Sequence, residues 1–170
     1  MGSDDRVGEL LARFPGPLTL YPSRRKWLLV LAGCTAFTAG GYLMIQDQAS
    51  GGWYVLVVFG VGSVIAAVML LPGAGRLALD RHGFTCTSLF KSHRVRWQDA
   101  GDFAPVQVPP ANIRLVGYDD ATVAGRRIAA INVELTGRNA ALNDTYGLSA
   151  DDLARLMAAW RERALERRPN

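Results

Sequence analysis

The sequence predicts a membrane α-helical hairpin followed by a small antiparallel β-sandwich or barrel closed by a C-terminal amphipathic helix. Three observations carry that expectation. Residues 27–46 (WLLVLAGCTAFTAGGYLMIQ) and 53–71 (WYVLVVFGVGSVIAAVMLL) contain no charged side chain. Residues 76–147 read as short segments of alternating polarity, broken by Gly, Pro and Asp. Residues 149–167 place Leu153, Leu156, Met157, Trp160 and Ala164 on one helical stripe.

The N-terminal segment, residues 1–26, opens with a weak apolar set: Val7, Leu10, Leu11 and Phe14. Ser3 or Asp4 is a fitting cap for a short helix ending before Pro15, and a disordered start is the alternative. Near residues 17–22, Leu18 and Leu20 alternate with Thr19 and Tyr21. This reads as an edge strand joining the later β domain, with Pro22 at its end.

The two apolar runs each have the roughly 20 residues that a helix needs to cross a hydrocarbon core of about 30 Å. Neither carries the polar stripe of a helix in a soluble α-domain, the competing reading. Cys34, Thr35, Thr38 and Ser63 are small polar groups that can bond back to helix carbonyls. Trp27, Trp53, Tyr54 and Tyr42 stand near run ends, where amphipathic rings favour the interface. Pro72 stops the second helix at or before Leu71. A cleaved signal peptide fits the first run poorly, since the run starts late and is long for an h-region. Residues 47–52 are a short connection, so the helices are antiparallel neighbours. Ala32, Ala36 and Gly40 recur on one face of the first, as do Gly62 with Ala66 and Ser63 with Ala67 in the second. These small faces are candidates for close packing or for an oligomer contact. The spans hold no Asp, Glu, Lys, Arg or His, which argues against an ion path or proton relay.

A linker, residues 72–75, leads into the domain at 76–170. Leu77 and Leu79 share one strand face, and His82-Gly83 signals a turn. The run FTCTSLF is rich in β formers, with a break at Lys91-Ser92. In HRVRWQD, Val95 and Trp97 face the core, and Arg94 and Arg96 face away. FAPVQV is an edge or irregular strand, because Pro105 cannot donate to a ladder. PPAN, residues 109–112, is a turn. IRLVGY is a strand with Ile113 and Leu115 inward, and residues 119–127 are a polar loop. INVELTG, residues 131–137, alternates over seven positions and reads as the clearest strand. A last extended piece ends at Tyr146-Gly147. Helix 149–167 is capped by Ser149, with Asp152 three residues on. Asp151 and Asp152 suit its start, and Arg161, Arg163, Arg167 and Arg168 its end.

Leu77-x-Leu79 with His82-Gly83-Phe84, then Val95-Arg96-Trp97-Gln98-Asp99, then Tyr146-Gly147-Leu148-Ser149 before the helix, carry a resemblance. From Pro17 onward the chain resembles a family of small bacterial inner-membrane proteins with a two-helix transmembrane hairpin followed by a PH-like domain. The resemblance implies a PH-like fold and an inner-membrane location. Its motifs are structural, and it implies no reaction.

The net charge is +4 and the pI about 9.4, but the basic residues are spread along the chain, and several flank the spans. Nucleic-acid binding is not indicated. The two cysteines, Cys34 and Cys86, fall in a span and in the β domain, which suits reduced thiols. Cys86 is expected to face the core as a small hydrophobe. His82 and His93 have no metal-ligand cluster around them. No nucleophile motif, P-loop or dinucleotide fingerprint is present. Ser88 or Ser92 beside His93 makes only a chance Ser–His neighbourhood, and Asp119-Asp120 reads as a solvated loop, with a cation contact as the alternative. No cofactor and no catalysis are expected. Two functions remain: a binding module for anionic headgroups or a cytoplasmic protein, and a structural subunit of a membrane complex. The candidate contact residues are Lys91, His93, Arg94 and Arg96.

Arg24, Arg25 and Lys26 abut the first span, Arg76 and Arg81 follow the second, and the connection has no Lys or Arg. The positive-inside rule then puts both termini in the cytoplasm and the connection outside. In a Cys34→Ala/Cys86→Ala background, a cysteine placed at Ser50 should be labelled in whole cells by an impermeant thiol reagent. A cysteine at Asn170 should not; labelling at Asn170 alone inverts the topology.

Overall fold

A computed structural model describes residues 3–108, 113–123 and 127–166. In chain order the elements are α1 (Ser3–Ala12), β1 (Leu18–Leu20), α2 (Arg24–Gln46), α3 (Gly52–Met69), β2 (Gly75–Leu79), β3 (Gly83–Ser88), β4 (Lys91–Arg96), β5 (Ala104–Val108), β6 (Ile113–Tyr118), α4 (Arg127–Thr136), β7 (Ala140–Ala141) and α5 (Ala150–Glu166). They form two compact units. One is helical, Pro22–Gly75 with Ser88–Lys91; the other holds the segments up to Tyr21, Arg76–Thr87 and the chain from Ser92 onward.

In the helical unit, α2 and α3 are both long and apolar enough to cross a membrane, by length and composition. Only 6% of the apolar stretch of α2 and 17% of that of α3 is buried, whereas a core helix of a soluble domain is mostly covered. Leu29, Phe37, Leu43, Tyr54 and Val64 are all more than half exposed. α2 starts at Arg24, so the basic residues 24–26 form its first turn.

The helices meet along Cys34, Thr38, Gly41 and Ile45 of α2. A Cβ on Gly41 would lie 2.6 Å from the backbone nitrogen of Leu56, so only glycine permits this approach. Gly62 lies against Cys34, Ala66 is fully buried, and Phe37 stacks on Phe59 at 4.6 Å. Thr38 Oγ1 donates to the Cys34 carbonyl at 2.8 Å and Ser63 Oγ to that of Phe59 at 2.9 Å, so neither hydroxyl is left bare. This seam corrects part of the small-residue expectation. Ala32 and Ala36 are exposed and Gly40 is half-buried. The short 47–51 connection brings Gly52 against Ile45 and Gly41, which sets the rotation of α2 and turns the Ala32–Ala36 face outward.

A second correction concerns the β3–β4 connection. The turn is Leu89-Phe90, not Lys91-Ser92, and both residues are left-handed, with φ 48° and 63°. Two central residues with positive φ are the signature of a type I′ hairpin turn, normally Asn-Gly. For residues with a Cβ the left-handed conformation costs roughly 1–2 kcal/mol each. The Phe90 N–H reaches the Ala74 carbonyl at 3.3 Å.

The other unit contains two sheets, ordered β1-β2-β3-β4 and β5-β6-β7. β1 pairs antiparallel with β2, Leu18 opposite Leu79 and Leu20 opposite Leu77, at the edge of the first sheet. β5, which contains Pro105, is outermost in the second. Phe84 is the hub of an aromatic cluster, with Trp97 at 5.4 Å, Tyr118 at 5.3 Å and Phe103 at 5.8 Å. α5 closes the core with Leu153, Leu156, Met157 and Trp160, all fully buried. Its start is held by Ser149, whose Oγ accepts from the Asp152 N–H at 3.0 Å and donates to Asp152 Oδ2 at 2.7 Å. α1 lies on α5: Phe14 meets Trp160 edge-on at 5.4 Å, and Arg163 donates to the Leu11 carbonyl at 2.8 Å.

Two strand expectations fail here. Residues 131–137 are not a strand: Arg127–Thr136 is helix α4. Ile128, Ile131 and Leu135 also fit a helical spacing, and a short apolar run cannot choose between the periods. Gly137, at φ 74°, ends the helix by donating its N–H to the Val133 carbonyl at 2.8 Å, a glycine stop. In β6 the inward pair is Val116 and Tyr118, at 0% and 4% exposure, while Ile113 is 51% exposed. Both phases of that strand carry apolar residues, Ile113 and Leu115 in one and Val116 and Tyr118 in the other, and the charge of Arg114 favoured the wrong one; the packed register places Gly117 opposite Ala104 and Ala141. The PPAN turn and the basic residues 167–168 lie outside the described residues.

The burial of Trp160 sets a measurable stability. Trp160→Ala in the full-length chain in detergent micelles should cost about 3–5 kcal/mol in denaturant unfolding followed by near-UV circular dichroism. A loss under about 1 kcal/mol would mean that the indole is not a packing element.

Candidate functional site

The basic residues singled out on β4 do not form one constellation. Lys91 groups with the helical unit, and His93, Arg94 and Arg96 with the sheets. Alternation then divides those three. Val95 and Trp97 are buried at 0% and 2%, so Arg94 and Arg96 project from the opposite face and are exposed. His93 shares the phase of Val95; its side chain is half exposed, and its ring nitrogen reaches the buried Asp120.

Each of the three has a carboxylate partner. Arg94 Nη2 bonds Asp80 Oδ2 at 2.9 Å, and Arg96 Nε bonds Asp99 Oδ2 at 2.9 Å. His93 Nε2 lies 3.0 Å from Asp120 Oδ2. The arginine side chains are 57% and 66% exposed, so these pairs are worth at most about 1 kcal/mol each. Each guanidinium has five N–H donors in a fork. The bonds described engage only Nη2 of Arg94 and Nε of Arg96. Lys91 is in no ion pair among the described residues.

Asp120 is the residue that the sequence reading placed wrongly. Instead of lying in a solvated loop it is fully buried. Its Oδ1 accepts from the Thr122 N–H at 2.8 Å and the Thr122 hydroxyl at 2.6 Å. Its backbone is locked to Asn139: the Asp120 N–H donates to Asn139 Oδ1 at 2.6 Å, and Asn139 Nδ2 donates to the Asp120 carbonyl at 3.1 Å. Burial raises the cost of the Asp120 charge, but hydrogen bonds from Thr122 and His93 outweigh it and hold the carboxyl below its ordinary range. Asp119 is occupied too, by Arg138 Nη1 at 2.6 Å and the Asn139 N–H at 3.3 Å. The arrangement is a latch joining β4, the 119–122 turn and the 138–139 segment. The Asp-x-Thr spacing of 120–122 is an Asx-turn signal that was present in the sequence.

The remaining candidate groups are engaged elsewhere. Ser92 Oγ pairs with Thr87 Oγ1 at 2.8 Å across the hairpin, and strand alternation separates it from His93. Cys86 is buried, with its sulfur 3.2 Å from the Tyr146 hydroxyl. Burial first, then nearby negative groups, pushes the Tyr118 and Tyr146 phenols well above their ordinary range, so both stay neutral. Among the described residues no three His, Cys, Asp or Glu side chains gather to hold a metal ion. The chain matches no protein-family model, no curated protein and no solved structure.

The depressed Asp120 carboxyl gives stability that is present above the unfolded value near pH 4 and lost as pH falls through the folded value. Asp120→Asn should therefore destabilise the chain by about 1–3 kcal/mol at neutral pH, with donors left unpaired. It should also flatten the acid limb of the stability–pH curve. Chemical unfolding at neutral and acid pH measures both; an unchanged acid limb would show that Asp120 is not the titrating latch.

Proposed function

We propose that this protein is a membrane-tethered binding module of the bacterial inner membrane, with both termini cytoplasmic. α2 and α3 are its anchor, and a PH-like domain is its reader. Binding, rather than catalysis, is its role. The observation that carries this reading is the place of the hairpin: it is inserted between β1 and β2, neighbouring strands of one sheet. The sheet is thus tied to the anchor twice, through residues 21–23 and 70–74. A four-stranded and a three-stranded antiparallel sheet closed by a C-terminal helix support the PH-like assignment.

The ligand in this reading is a phosphate-bearing headgroup, met by Arg94 and Arg96. Their ion pairs are exposed and weak, and a phosphate accepts from a guanidinium fork in the bidentate manner that Asp80 and Asp99 leave unused. Each basic side chain near an anionic leaflet contributes about 1 kcal/mol, falling off beyond a Debye length of about 10 Å. A second reading, a structural subunit of a membrane complex, draws on the outward Ala32–Ala36 face of α2, which is free for a neighbouring helix.

In nanodiscs of anionic lipid, amide exchange along β4 should be slower than in purely zwitterionic nanodiscs, and Arg94→Ala/Arg96→Ala should abolish the difference. Equal exchange in the two lipids removes the headgroup as ligand. A stoichiometric partner retained in mild detergent by the hairpin alone would favour the subunit reading.

A further inference from the structure

We infer that the β3–β4 turn is a membrane-inserting tip, whose Leu89 and Phe90 side chains enter the acyl-chain boundary of the leaflet where α3 ends. This rests on the reading of α2 and α3 as spans.

The first observation is the turn itself. Both residues hold positive φ, 48° and 63°, a conformation that Asn-Gly adopts without strain. A leucine and a phenylalanine there are not buried in a core in return: they are 43% and 57% exposed. The chain thus holds a strained backbone in a form that displays two adjacent apolar side chains. Strain of this kind is maintained where the displayed groups have a use.

The second observation is where the tip stands. Ser88–Lys91 clusters with the spans as one compact unit, not with the sheets. Phe90 N–H donates to the carbonyl of Ala74, which follows the end of α3 and is itself fully buried. In the same unit Leu71, just past α3, is 52% exposed. The tip is therefore continuous with the apolar surface of the anchor, at the end of the hairpin that carries Arg24, Arg25 and Lys26.

The third observation is Lys91 beside the tip. Its stem can lie along the acyl boundary while its ammonium meets headgroup phosphate, the habit of lysine at interfaces. Apolar side chains capped by a cation match a lipid surface. They do not match an acidic protein groove, which offers no partner for two adjacent hydrophobes.

The test uses the full-length Cys34→Ala/Cys86→Ala chain in nanodiscs, with an environment-sensitive fluorophore on a single cysteine at Phe90, Val64 or Glu162. Val64 lies on the exposed face of α3, and Glu162 is exposed on α5. Lipids brominated on their acyl chains should quench the probe at positions 90 and 64 and leave 162 unquenched. Quenching at 64 without quenching at 90 overturns the tip while the spans stand. No quenching at 64 overturns the spans, and the tip with them. Shielding of position 90 from aqueous iodide without lipid quenching means that protein covers it, and also overturns the inference. A second readout needs no substitution: a lipid nitroxide near the headgroup should broaden the Leu89 methyl resonances, and unbroadened Leu89 methyls overturn the tip.

Discussion

The backbone carbonyl of Asp80 is the point on which the sheet-containing unit turns. It accepts the indole N–H of Trp97 at 2.8 Å and that of Trp160 at 3.3 Å. One indole follows β4 and the other belongs to α5, so a single oxygen joins the sheet to its closing helix. Both rings are nearly or wholly buried, and each N–H would otherwise be an unpaired donor in the core. The same residue's carboxylate forms the 80–83 turn, accepting from the His82 and Gly83 N–H groups at 2.7 and 2.9 Å. It also takes Arg94. Local turn, strand pairing and helix docking are therefore coupled through one residue, and a shift in the turn must move both tryptophans.

The helical unit depends on a different constraint. Its two helices come together where Gly41 meets the backbone of Leu56, and the remaining contacts follow from that rotation. Dispersion in a close seam, rather than burial from water, is the attraction available between helices in an apolar solvent. The two units thus use opposite chemistry. One hides aromatic rings and satisfies their donors; the other displays its apolar side chains and hides glycine.

The elements with one strong physical signal were legible in the sequence. The two long apolar helices show in charge-free length, α5 in its stripe and its Ser149–Asp152 start, and the Val95–Trp97 face in simple alternation. What escaped had two consistent solutions. Residues 131–136 satisfy both periods, and only Gly137 marked the helical one. β6 has apolar residues in both phases, with Arg114 on the buried one at the exposed end of the strand, so packing chose Val116 and Tyr118. Leu89-Phe90 reads as strand, because nothing in an apolar pair announces positive φ. Of the candidate site, the arginines lie on the face that alternation assigned them. Asp80, the partner of Arg94, lies 14 residues back and was invisible, whereas Asp99, the partner of Arg96, is a local i,i+3 neighbour. Asp120 was misplaced because a buried carboxylate is recognised by its donors, Thr122 and His93, and only folding brings His93 to it.

The insertion of α2 and α3 between two paired strands has a consequence for how the chain is made. β1 emerges during synthesis before α2 and α3, and β2 only after both. The Leu18–Leu79 ladder is a contact of high sequence separation, whose loop-closure entropy must be met before pairing returns anything. The antiparallel hairpin α2–α3 removes most of that entropy by returning the chain to its point of entry. Pairing of α2 with α3 thereby favours closure of the β1–β2 ladder, and a chain in which the two helices fail to pair is left with β1 unpaired and the edge of β2 open.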